Sequence, residues 1–217
     1  MTTSMTFTTL QSDVQGYLER GSSLATDPDV FVQIPRLINL AERRIATEMK
    51  LEGFKQVVTF SMANNQSIYN KPSRWKRTVS MRYALVSDGE TRQPLNPRSY
   101  DFLRTYWPNS TETGPPEYYA DYDFDHWVFA PTPDAAYVAE LIYYEMPEFL
   151  SDSVQTNWLT DHAPQLLLYA TLLEATPYLK DDGRIGVWQT FYDRAAATFT
   201  AEDVSRIIDA SVKRESN

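Results

Sequence analysis

With 217 residues, 42% of them hydrophobic and 23% charged, the chain can bury a core without cross-links and is too apolar to be disordered throughout. It has no cysteine, which excludes disulfides, thiolate nucleophiles and sulfur-ligated zinc. A net charge of -9 opposes tight binding of nucleic acid, because the summed field repels polyanions.

The stretch from Met1 to Leu10 is Thr-rich, with neither a basic segment nor an apolar run, so no secretory signal is read there. Nothing approaches the ~20 consecutive apolar residues that cross a bilayer. The expectation is a soluble protein made in the cytoplasm, with no membrane partner. Tyr, Trp and Phe number 14, 5 and 10, an aromatic content that suits contact surfaces but is explained first by β-propensity.

Helical spacing begins near Thr8, where Thr8 or Thr9 can cap and Leu10, Val14, Tyr17 and Leu18 share a face; it stops at Gly21. A second helix is predicted from Asp27 as cap and Pro28 as first residue, with Phe31, Ile34, Leu37, Ile38, Ala41, Ile45 and Met49 on one stripe. Pro35 lies inside that stripe and is expected to kink or divide it. Gly53 closes the run.

From Phe54 the period changes to two. Strands are predicted at Gln56–Phe60 and Gln66–Tyr69, separated by a polar turn at Asn64-Asn65, and from Arg77 to Val86, with a turn at Asp88-Gly89. Pro97 to Trp107 reads as a short helix. After the breaker Gly114-Pro115-Pro116, further strands are predicted at Tyr118–Ala120, His126–Phe129 and Tyr137–Tyr144, with Pro131 and Pro133 keeping their connection out of a central ladder. Helical pattern then returns: a short helix at Trp158-Leu159, an apolar helix opened by Pro164, and a last helix capped by Asp182 and running from about Arg184 to Ile208.

Helices, then strands, then helices indicate an α+β fold, with N- and C-terminal helices forming a bundle and an antiparallel β module inserted between them. The expected divisions are 1–53, 54–150 and 151–217. Beyond Ile208 the polar end Ala210 to Asn217 has no apolar stripe, and one expectation is that it orders only on contact with a partner.

Charge is uneven. Residues 51–110 carry nine basic residues against four acidic, while residues 111–165 carry eleven acidic residues and no Lys or Arg. Arg74, Lys76 and Arg77 concentrate the positive part; Glu117, Asp121, Asp123 and Asp125 concentrate the negative part. Such patches either neutralise each other within the fold or meet between subunits, where head-to-tail repetition closes a ring.

No chemistry is legible. The glycines are scattered without a phosphate-binding spacing, no nucleophile elbow surrounds any serine, and His126 and His162 stand apart from a second ligand. The Asp121, Asp123 and Asp125 series could serve a glycosidase, but alternating carboxylates more simply mark a solvated edge. Arg74-Trp75-Lys76-Arg77 has the look of a small nucleic-acid patch, against the overall charge. No enzyme, cofactor or metal is expected.

Several stretches taken in order resemble the adaptor, or head-to-tail connector, proteins of tailed bacteriophages, the group similar to tail tubular protein A. They are Ile34-Pro35-Arg36-Leu37-Ile38-Asn39-Leu40-Ala41-Glu42-Arg43-Arg44-Ile45, then Pro94-Leu95 with Arg98-Ser99-Tyr100-Asp101-Phe102-Leu103, Gly114-Pro115-Pro116-Glu117-Tyr118-Tyr119-Ala120, Pro131-Thr132-Pro133, and Leu168-Tyr169-Ala170-Thr171-Leu172-Leu173-Glu174-Ala175. The resemblance implies a virion structural protein at the head-tail junction, a subunit of a commonly twelve-fold ring. Its implied partners are itself, the portal and tail or nozzle proteins, with DNA passing through the channel unbound. It brings no catalytic residues. The competing reading is a carbohydrate-binding or hydrolytic tail module.

Overall fold

The computed structural model describes residues 4–18, 28–87, 92–109, 111–179 and 183–212. The predicted stop at Gly21, the caps at Asp27 and Asp182, the turn at Asp88-Gly89 and the tail past 212 lie outside the described residues. Among these, the helices are α1 (Phe7–Leu18), α2 (Pro28–Glu48), α3 (Tyr100–Tyr106), α4 (Trp158–His162), α5 (Pro164–Leu179) and α6 (Ile185–Val212). The strands are β1 (Lys55–Met62), β2 (Ile68–Asn70), β3 (Trp75–Leu85), β4 (Gln93–Pro97), β5 (Thr113–Gly114), β6 (Tyr118–Asp121), β7 (His126–Ala130), β8 (Thr132–Pro133) and β9 (Tyr137–Glu145). The fold is α+β, and the chain divides into a helical unit, Met1–Phe54 with Pro147–Asn217, and a β unit, Lys55–Met146.

In the helical unit α1 starts earlier than its spacing predicts. Thr6 is the cap: its hydroxyl accepts the Thr9 N–H at 3.2 Å while the Thr9 hydroxyl accepts the Thr6 N–H at 2.7 Å. Phe7 is buried and begins the stripe Phe7, Leu10, Val14, Leu18, whereas Tyr17 faces solvent. Helix α2 runs unbroken through Pro35, and Ile34, Leu37, Ile38, Ala41 and Ile45 are all buried. Helix α5 packs against α1, α2, α4 and α6, which is why it is apolar nearly all round, from Leu166 to Ala175. Arg44 on α2 reaches Glu48 at 2.9 Å and Glu174 of α5 at 3.3 Å, and the Tyr192 hydroxyl of α6 donates to Glu48.

Two tight contacts fix this unit where the chain re-enters it. Gly53 lies so close to the Trp158 indole that a Cβ would come within 2.0 Å of the ring. Glu42, fully buried on α2, accepts the Leu150 N–H at 3.1 Å and the Asn157 amide at 2.6 Å, while the Asn39 amide donates to the Leu150 carbonyl at 3.1 Å. Asn157 in turn caps α4 through the Leu159 and Thr160 N–H groups. Burial pushes the Glu42 carboxyl up to about 7 despite these bonds, because a desolvated carboxylate is costly.

In the β unit seven strands form one sheet in the order β1-β9-β3-β4-β6-β7-β2, antiparallel except for β4 beside β6. The turn at Asn64-Asn65 is present, with Asn65 at φ 61°, a conformation Asn tolerates. The strands it separates are not partners: β1 pairs with β9 and β2 with β7. Register shifts in β3 near Trp75 and at Thr78–Ser80 reset the predicted alternation, so Met81 and Tyr83 face the core while Val79 is exposed. Pro97 ends strand β4 rather than opening a helix; Leu95 is buried beside Met81, and α3 starts at Tyr100 with Ser99 as cap. Pro131 and Pro133 do stay out of the large sheet, since β8 pairs only with β5.

Side chains of one sheet face, among them Met62, Met81, Tyr119, Trp127, Phe129, Leu141 and Tyr143, form the main core of the β unit. Val128 and Ala130 point the other way and pack with Leu103 of α3. With both faces covered, β7 is buried throughout except at His126.

Candidate interaction surface

The β6–β7 connection is a short, fully tied hairpin tip. The Asp123 carboxylate accepts the N–H groups of Asp125 and His126, each at 2.8 Å, and contacts His126 Nδ1 at 2.7 Å. These bonds, led by that from the His126 ring, hold its carboxyl below the usual range although it is exposed. Below the tip sits Lys71, its side chain almost wholly buried over the Trp75 ring at 4.3 Å. Its Nζ reaches Asp121 Oδ1 at 2.8 Å and the Asp123 carbonyl at 2.9 Å, and its N–H donates to the Asp125 carbonyl at 2.7 Å. Phe124, at the apex of this ordered turn, is 85% exposed.

A second surface lies on the sheet face turned away from the main core. There β1, β9 and β3 align in rows: Lys55, Tyr144 and Arg77; Val57, Ile142 and Ser80; Thr59, Glu140 and Arg82. Val57 is 61% exposed, Arg77 and Arg82 are exposed, and Glu140 is paired with Arg92. An aliphatic strip thus runs between two basic side chains.

The charged residues singled out in the sequence fall into three places. Arg74, Lys76 and Arg77 stand together at the start of β3, with Arg74 on Glu145 at 3.3 Å and the Lys76 ammonium held below its usual value, first by burial and then by Arg77. Asp121, Asp123 and Asp125 share the hairpin tip, and Glu117 is exposed at the opposite end of β6. Within the chain the cation at the tip is Lys71, which pairs with Asp121 and leaves the tip acidic on balance; Arg74, Lys76 and Arg77 do not reach it. Lys71 and Phe124 escaped the sequence reading. The alternation Asp121-Tyr122-Asp123-Phe124-Asp125 was the only signal for Phe124, and it does not reveal that Asp123 turns back on the backbone.

The geometry also speaks to the competing readings. Trp75 packs edge-on against Trp127 and donates its indole N–H to Thr78 at 3.1 Å, so it is not free to stack on a base. Of the carboxylates that could serve a glycosidase, Asp123 is taken up by the backbone and the His126 ring and Asp121 is ion-paired with Lys71. Among the described residues no group of three His, Cys, Asp or Glu side chains could hold a metal ion, and no helix is long and apolar enough to cross a membrane.

What the molecule does present is a pair of exposed surfaces, and one comparison places the chain in a family. The family model described as SU10 adaptor protein matches residues 5–213. The chain belongs to that family. No curated protein matches it. Membership agrees with the resemblance to phage head-to-tail adaptors, and it makes this SU10 adaptor a structural protein of a bacteriophage particle that joins other head or tail proteins.

Proposed function

We propose that this SU10 adaptor is one subunit of a ring, of about twelve copies, that docks under the portal at the head-tail junction and receives tail or nozzle proteins beneath, leaving a channel for DNA. The observation that supports this reading is the family match, which spans nearly the whole chain. In it, the helices of 1–53 and 151–217 act as a bundle that carries the β module of 54–150. Arg74, Lys76 and Arg77 of one copy face Glu117, Asp121, Asp123 and Asp125 of the next. Exposed pairs of this kind add little affinity each, so their role is to set register and partner choice. The -9 charge lets DNA pass without adhering.

Cryo-electron microscopy of the parent particle tests this directly. A closed ring of the chain between portal and tail is the expected result; density for it on the capsid shell or at the tail tip refutes the placement.

A further inference from the structure

We infer that Phe124 is the anchor of the contact between neighbouring copies, and that it seats on the Val57–Ile142 strip of the next copy's β1-β9-β3 face, between Arg77 and Arg82. The inference rests on the reading of the chain as a self-assembling subunit.

The first reason is the contrast between how rigidly the tip is held and how completely Phe124 is left uncovered. Asp123 and Lys71 together fix six polar contacts across residues 121–126. They do so around an aromatic ring that is 85% exposed. A single exposed apolar side chain is common on a protein surface, but one held on a preorganised hairpin loses little ordering entropy when it is covered. Tyr122 beside it already leans on Tyr100 of α3, with ring centroids 5.8 Å apart, which leaves Phe124 as the projecting group.

The occupant follows from charge and shape. The tip carries Asp121, Asp123 and Asp125 around its ring, and the outer sheet face carries Lys55, Arg77 and Arg82 around its aliphatic strip, its one carboxylate in those rows, Glu140, being paired with Arg92. Both surfaces belong to the same chain, yet at 85% for Phe124 and 61% for Val57 neither covers the other within it. A second copy satisfies both at once. Tip onto face is a heterologous contact, one that repeats around a closed ring when the rotation closes. The aromatic centre with a charged rim is the usual make-up of a dominant contact.

Sedimentation velocity of the full chain over a concentration series, with and without capsids lacking the adaptor, tests it. Phe124→Ser is expected to weaken self-association about thirtyfold or more, with an unchanged melting curve. Asp125→Arg alone, or Arg77→Glu with Arg82→Glu alone, is expected to weaken it about tenfold, and the three together in one chain to recover most of the loss. If Phe124→Ser associates like the wild type, the tip is not the anchor, though the subunit reading stands. If the reversals weaken association but do not rescue one another, the tip seats elsewhere and the sheet face is wrong. If the wild type neither self-associates nor assembles on capsids, the subunit reading and this inference fall together.

Discussion

Glu42 in the helical unit accepts one main-chain N–H and Asp123 in the β unit two, each also binds one side chain, and each pins a short stretch of backbone. Their acidities move in opposite directions. Glu42 has no exposure, so desolvation outweighs its hydrogen bonds and its carboxyl rises to about 7; Asp123 is open to water, so its hydrogen bonds prevail and its carboxyl falls. The comparison teaches that the same bonding pattern serves two purposes. In one unit it closes the interior, and in the other it fixes a shape for outside use.

The largest effect should come from crowding the closed region. Gly53→Ala is expected to destabilise the helical unit by about 3 kcal/mol or more, because the new Cβ collides with the packed Trp158 ring; thermal or urea unfolding measures it. Next comes the pH response. From the ordinary carboxyl value of 4.5 to about 7, folded Glu42 keeps its proton while the unfolded chain loses it. Stability therefore falls as pH rises through that window, by about 2 to 3 kcal/mol. Glu42→Gln should flatten that slope, and an unaltered slope would mean that another group carries it.

The tip should behave in the opposite sense. Because the Asp123 carboxyl is held low, its contribution is intact above the usual carboxylate range and is lost as pH falls through its folded value. Asp123→Ala should speed amide exchange at Asp125 and His126 and weaken self-association, with only a small loss of global stability because the group is exposed. The smallest effect on stability belongs to Phe124→Ser, within about 0.5 kcal/mol, since the ring is already in water.

Elements with strong local signals were legible in the sequence. Pro28 opened α2, the Trp127–Phe129 run gave β7, and the Tyr137–Tyr144 run gave β9. What escaped depends on distant partners. Strand β4 hides behind Pro94 and Pro97, both poor strand formers, and exists because β3 and β6 flank it. The two-residue strands β5 and β8 are too short to carry a period. Spacing cannot say that β1 chooses β9 over β2, which lies next to it in sequence. At the site, the acidic alternation was visible. The burial of Lys71 beneath it was not, because that needs the Trp75 and Trp127 rings in place.

One property of the hairpin reaches further. Its form is dictated by Asp123 and Lys71, whereas the group it exposes is Phe124, and these are different residues. Position 124 can therefore accept other side chains while the loop keeps its conformation, which gives an assembling particle a way to retune which neighbour it accepts without redesigning the protein beneath.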